Sequence, residues 1–174
     1  MSNEMEKTQG TQKERTLIGS KFPSLRASSL AHTEVTLPDA AQGSIALILI
    51  AFQREAQVQL DSWQEPFDEA FGGKPGFTHY EVPMLQRRYR LMSPVIDGGM
   101  RAGIPREEHS HVITYYGTVD RYRDALMMDH LSAGYAFLLD RDGIIRWQGR
   151  GLATEAAIRD LLETAKKENG DASH

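Results

Sequence analysis

The chain has 174 residues and a formal charge of -4, with 20 basic and 24 acidic side chains, 40% hydrophobic and 25% charged residues, as one soluble globular domain does. That balance excludes a general nucleic-acid binder, which needs a basic excess or face, and the longest apolar run, at residues 45–52, is too short to span a bilayer. The absence of cysteine excludes a disulfide framework, a thiolate metal site and any thiol nucleophile, so a core burying roughly 70% of the unfolded surface must hold the fold unaided.

Residues 1–16 are polar and aperiodic and read as a disordered arm. They lack the apolar core of a secretory signal, and their acids count against a mitochondrial transit peptide, so a cytoplasmic protein with a domain over 17–168 is expected. Glu34–Leu37 is a short strand closed by Pro38-Asp39, and residues 45–52 form an Ile- and Leu-rich strand buried on both faces. A helix follows from Gln53, with Ala56, Leu60, Trp63, Phe67 and Phe71 on one apolar stripe. Pro66 predicts a kink near Ser62–Glu65, because it removes a donor and clashes one turn back. The glycines at 72, 73 and 76 end that helix, and Phe77–Leu85 is the next strand.

Residues 86–105 show no period and read as an irregular loop. His111–Tyr116 reads as a strand, and Asp120–Met128 as a short helix capped by Asp120. Gly134–Leu139 and Ile144–Gln148 flank Asp140-Arg141-Asp142-Gly143, a hairpin signature. A final helix from Thr154 turns Ile158, Leu161, Leu162 and Ala165 inward, and residues 169–174 read as a frayed end. Alternation places Ile145 and Trp147 on one face of their strand, where burial of Trp147 is expected; exposure beside Arg146 would instead suit a protein contact. The order predicts an α/β domain: a parallel pair, a crossover and a closing antiparallel hairpin in a mixed sheet flanked by helices on both faces.

Three segments carry a resemblance. Leu17-Ile-Gly-Ser-Lys-Phe-Pro-Ser-Leu25 with Val35-Thr-Leu37, and Tyr135–Asp140 with Asp142-Gly143, resemble the opening segment and the late hairpin of thioredoxin-like domains of peroxiredoxin type. The stretch Tyr89–Ile104, which contains Gly98-Gly99-Met100-Arg101-Ala102-Gly103-Ile104, is similar to the ATPase assembly factor family of the mitochondrial "ATP-ten" protein. So are Asp61-Ser-Trp63, Pro66-Phe67, Thr114–Tyr116 and Ile145-Arg-Trp147, and the likeness runs from about residue 17 to residue 165. It implies a cysteine-free thioredoxin-like protein whose mitochondrial relatives act as chaperones in assembly of the membrane sector of the F-type ATP synthase. It implies no cofactor and no catalytic residue. The implied partners are protein subunits of a membrane complex, met as a peripheral protein without a membrane span.

Catalytic members of that architecture carry a reactive cysteine where the central strand enters its helix. Here the turn reads Gln53-Arg54-Glu55-Ala56-Gln57-Val58-Gln59-Leu60, and the proline expected before the facing strand is missing from His130-Leu-Ser-Ala-Gly134. Both losses point to binding rather than thiol chemistry. The helix start remains open to an anion or a peptide carboxylate, or is a plain solvated end.

The expected partner surface comprises Arg88, Arg90, Asp97, Gly98, Gly99, Met100 and Arg101. Paired glycines let backbone N–H groups approach a ligand, and the arginines offer forked donors to a carboxylate or phosphate. The alternatives are an assembly chaperone or a sensor of a small anionic ligand; against both stands internal pairing of Asp97 with Arg101 in a tight turn. Glu107-Glu108-His109-Ser110-His111 invites a metal, since His-x-His on a strand shares one face, but a third ligand is lacking, and a solvated loop entering a strand is the better account. No nucleophile elbow is present.

Overall fold

A computed structural model describes residues 16–170. The expected disordered arm lies outside the described residues apart from Thr16, as do the last four residues of the expected frayed end. Seven strands form one sheet in the order β2-β1-β5-β4-β3-β6-β7. They are β1 (Leu25–Ser29), β2 (Glu34–Leu37), β3 (Ile45–Ala51), β4 (Phe77–Gln86), β5 (Ile113–Gly117), β6 (Tyr135–Leu139) and β7 (Ile145–Arg150). The helices are α1 (Gln57–Phe71), α2 (Ser93–Gly103), α3 (Val119–Ala125) and α4 (Glu155–Gly170).

β3 is buried along its whole length because it lies inside the sheet with helices over both faces. It pairs parallel with β4, which pairs parallel with β5, while β6 and β7 add antiparallel. Alternate β3 residues enter two cores. Ala46, Ile48 and Ile50 meet Phe22, Phe137 and the α3 residues Val119 and Tyr122. Ile45, Leu47 and Leu49 meet Leu60, Trp63 and Phe67 of α1 and Leu161 and Ala165 of α4. Ile158 and Leu162 of α4 are partly buried against that second core.

Several local expectations are corrected. α1 starts at Gln57, behind a 3-10 turn at Arg54–Ala56, and remains one helix through Pro66, with Phe67 and Phe71 buried beyond the proline. The strand expected from His111 begins at Ile113, because residues 106–111 form a 3-10 turn. α3 begins at Val119, and Asp120 lies within its first turn rather than capping it. α4 extends to Gly170, into the segment expected to fray.

Ile145 and Trp147 do not share a face. The β6–β7 register shifts between Leu138 and Leu139, pairing Leu138 with Trp147 and Leu139 with Ile145. The bulge inserts Arg146 as an unpaired residue, so Ile145 enters the core with Leu139 and Trp147 the core with Leu138. Trp147 is buried edge-on against Trp63, with ring centroids 5.1 Å apart. Asp140 ties the hairpin by accepting from Asp142 N, Ile144 N and Arg146 Nε at 2.9, 3.0 and 2.8 Å.

Candidate functional site

The C-terminal edge of β3 is where the chain leaves the sheet for α1. Gln53, Arg54 and Glu55 are exposed there, and Ala56 is buried beneath them. Gln59 spans from α1 to the segment before β6: its Oε1 accepts from Gly134 N at 2.7 Å and its Nε2 donates to Ser132 O at 3.3 Å. Gly134 sits so close that an added Cβ would lie 2.8 Å from Leu60 Cδ2 and 3.2 Å from Gln59 Cβ. A side chain at this position would require Leu60 and Gln59 to shift. Gly151 N donates to Gly134 O at 2.9 Å, Trp63 Nε1 to Gly151 O at 2.8 Å and Ala153 N to Ser62 Oγ at 3.0 Å. Helix, loop and turn are thus knitted into one rim.

That rim carries side chains that sequence periodicity did not single out. Val58 is 62% exposed, Leu131 42% and Leu152 63%. Single apolar residues at element ends have no periodic signature, and only their exposure distinguishes them from core residues.

The segment after β4 is not an irregular loop. Residues 87–92 form a 3-10 turn and residues 93–103 form α2, with Pro94 in its first turn. Gly98 and Gly99 therefore lie inside a helix, and an added Cβ at either meets nothing within 4 Å. Turn geometry does not require them; they leave a stretch of bare helical backbone. Asp97 and Arg101 form no ion pair with each other among the described residues. Asp97 Oδ1 accepts from Tyr116 Oη at 2.7 Å, while Arg101 Nε donates to Leu30 O at 2.9 Å. These bonds hold α2 over β1 and β5, on the side of the sheet that carries α1 and α4. Burial and Asp97 together keep the Tyr116 hydroxyl well above its ordinary range.

Of the expected partner residues, Arg88, Arg90 and Gly99 are exposed, and Asp97, Gly98, Met100 and Arg101 are half-buried. Arg88 folds over the Tyr89 ring at 4.9 Å and donates to its hydroxyl at 3.1 Å. Between α2 and β1–β5 lies a cleft of about 440 Å³ whose lining includes Arg26, Arg90, Ser93, Asp97 and Thr114. Thr114 is buried and its Oγ1 has no partner among the described residues.

Residues 106–111 hold their histidines apart. His109 Nε2 bonds Ile104 O at 2.8 Å and His111 Nδ1 bonds His79 O at 2.9 Å, each spent on a backbone carbonyl. Glu108 instead joins His79, whose Nδ1 meets Asp68 Oδ1 at 2.9 Å and whose Nε2 meets Glu108 Oε2 at 3.2 Å. Burial opposes a charge on this ring, but the two carboxylates outweigh it and raise its pKa above the ordinary value. Among the described residues no group of three or more His, Asp or Glu side chains is arranged to hold a metal ion. Beside this clamp, Glu81 is buried at 8% exposure, and burial raises its carboxyl pKa.

Solved structures similar to this fold are thioredoxin-like. The thioredoxin domain of thiol-disulfide oxidoreductase BVU-2223 from Bacteroides vulgatus is 16% identical at a TM-score of 0.58, covering 87% of this chain and 99% of that one. The exposed lipoprotein thioredoxin Etrx1 from Streptococcus pneumoniae is 10% identical at 0.55, covering 81% and 98%. BsSco, a member of the Sco family of cytochrome c oxidase assembly proteins, is 10% identical at 0.58, covering 85% and 92%. These likenesses show the fold. No curated protein sequence matches the chain. The family described as ATP10 protein matches residues 13–167, nearly the whole described domain and the α2 stretch within it, and the chain belongs to that family.

Proposed function

We propose that this protein is a non-catalytic binding protein that assists assembly of a membrane complex, with subunits of the ATP synthase membrane sector as the client class its family suggests. One observation carries the reading. Val58, Leu131 and Leu152 stand exposed around the strand-to-helix turn, where thiol chemistry would need a cysteine and the chain has none. The rim has the character of a contact surface and lacks the reagent of a redox site. The outer side of α2 adds to the surface: Gly98, Gly99 and Met100 meet the partner, Arg88 and Arg90 flank that contact, and Asp97 and Arg101 hold α2 in place. Capture from detergent-solubilised membranes should enrich membrane-sector subunits, and Val58→Asp with Leu152→Asp should abolish that enrichment. Enrichment unchanged in the double variant removes the rim from the proposal. Thiol peroxidase and disulfide reductase assays should remain blank at any protein concentration.

A second reading, a small anionic ligand, is favoured by the cleft under α2, where the unpartnered Thr114 hydroxyl lies with Arg90 and Ser93. Thermal shift against phosphate, nucleotides and short carboxylates tests it. A dose-dependent rise lost in Arg90→Ala supports a ligand, and a flat response to all three classes removes it.

A further inference from the structure

The 3-10 turn at residues 87–92 ends in a tip that the fold does not use. Leu91 is 94% exposed, Met92 53% and, in the first turn of α2, Val95 73%. Arg87, Arg88 and Arg90 are all exposed in the same turn, and none of them enters an ion pair among the described residues. Residues 87–106 contain five arginines and one aspartate, a charge of +4 in a chain of net charge -4. Positive charge is therefore concentrated on this segment, against the sign of the whole molecule. The exposed positions that follow along α2, Gly99, Ala102 and Gly103, add no charge.

We propose that this tip docks on an anionic lipid bilayer, with Leu91, Met92 and Val95 entering the headgroup boundary and Arg87, Arg88 and Arg90 pairing with lipid phosphates. Charge complementarity selects this occupant, since unpaired arginines beside apolar side chains match a negatively charged surface with hydrocarbon beneath it. The size of the patch argues the same way. A stable protein interface needs about 800 Å² on each partner with a well-packed centre, whereas Leu91 is 94% exposed and lines neither the cleft under α2 nor the one beside His79. A bilayer needs only a few apolar side chains and nearby cations. The inference goes beyond client binding, because it assigns Arg88 and Arg90 a lipid contact and holds whether or not the rim around Val58 binds a subunit.

Sedimentation of the purified full chain with vesicles, in the absence of any client, tests it. Vesicles of phosphatidylcholine with about a third phosphatidylglycerol should carry the protein down, in a salt-sensitive manner, while phosphatidylcholine alone should not. R87E with R88E and R90E should weaken partition by about a hundredfold, near fivefold for each arginine. L91S with M92S should weaken it by about tenfold or more, and both variants should keep the wild-type circular dichroism. No binding to anionic vesicles, equal binding to neutral ones, or binding unchanged in both variants would each overturn the proposal. So would loss of subunit capture in detergent by the arginine variant without any vesicle binding by the wild type, which would assign the tip to a protein instead. Failure of the Val58 and Leu152 variants to affect capture bears on the client reading alone.

Discussion

His79 shows how one side chain couples three parts of the chain. It sits on β4, with Asp68 of α1 on one ring nitrogen and Glu108 of the 106–111 turn on the other. Its pKa is raised in the fold above the ordinary 6.5, so the clamp contributes stability that is fully present below pH 6.5 and is lost as pH rises through the elevated value. Denaturant midpoints across that interval should fall in the wild type, and His79→Gln should flatten the slope by removing the stability at the acidic end. Glu81 behaves differently. Burial raises its pKa, so the neutral acid suits the fold and ionisation becomes a cost as pH climbs past the ordinary carboxyl value of 4.5. Glu81→Gln should therefore stabilise the protein at neutral pH and leave it little changed near pH 4; a loss of stability at pH 7 would mean that the carboxylate is satisfied as an anion. Gly149 tests packing alone, since an added Cβ would lie 2.5 Å from Trp147 and 3.0 Å from Trp63. Two buried indoles cannot both retreat, so Gly149→Ala should cost about 1–3 kcal/mol in chemical unfolding.

At the scale of elements, what could be read in advance follows from how strongly each segment's own pattern speaks. The apolar run of β3, the stripe of Leu60, Trp63, Phe67 and Phe71 and the Asp-Gly hairpin were legible because burial, helical period and turn chemistry each leave a local mark. α2 left none. Gly98, Gly99 and Gly103 lower its helix propensity, and it has no buried residue to set a period. Its helix is secured from outside, by Tyr116 holding Asp97 and by the Leu30 carbonyl holding Arg101. The family match runs through this stretch, but residue pattern alone gave the wrong conformation. The β6–β7 bulge was equally hidden, since an inserted residue leaves alternation intact in sequence and breaks it only in register. If tertiary bonds hold α2, removing one should loosen it selectively. Tyr116→Phe should cost about 1 kcal/mol and speed amide exchange across residues 93–103 while leaving β3 and β4 protected. Equal acceleration in α2 and β3 would show that the bond supports the whole fold instead.

For the molecule as a whole, the decisive arrangement is one strand shared by two cores. Ile48 and Ile50 face Val119, Tyr122 and Leu126 on one side of the sheet, while Leu47 and Leu49 face Trp63, Trp147 and Leu161 on the other. Both tryptophans lie in the second core, so their fluorescence reports that face alone. Because β3 cannot lose one set of partners and keep its position for the other, damage on either face should appear on both. Leu126 is buried in the first core at 2% exposure. Leu126→Ala should cost about 2–5 kcal/mol and lower the melting temperature by roughly 5–15 °C. The tryptophan-monitored midpoint should move by the same amount as the midpoint from far-ultraviolet circular dichroism. A tryptophan midpoint that stays put while the dichroism curve splits would mean two independently melting halves. The rim around Val58, which is fastened by bonds from α1, the 130–134 segment and the turn after β7, would then hang on only one of them. With no disulfide to brace either half, such a split would tie the rim to the melting of the second core alone.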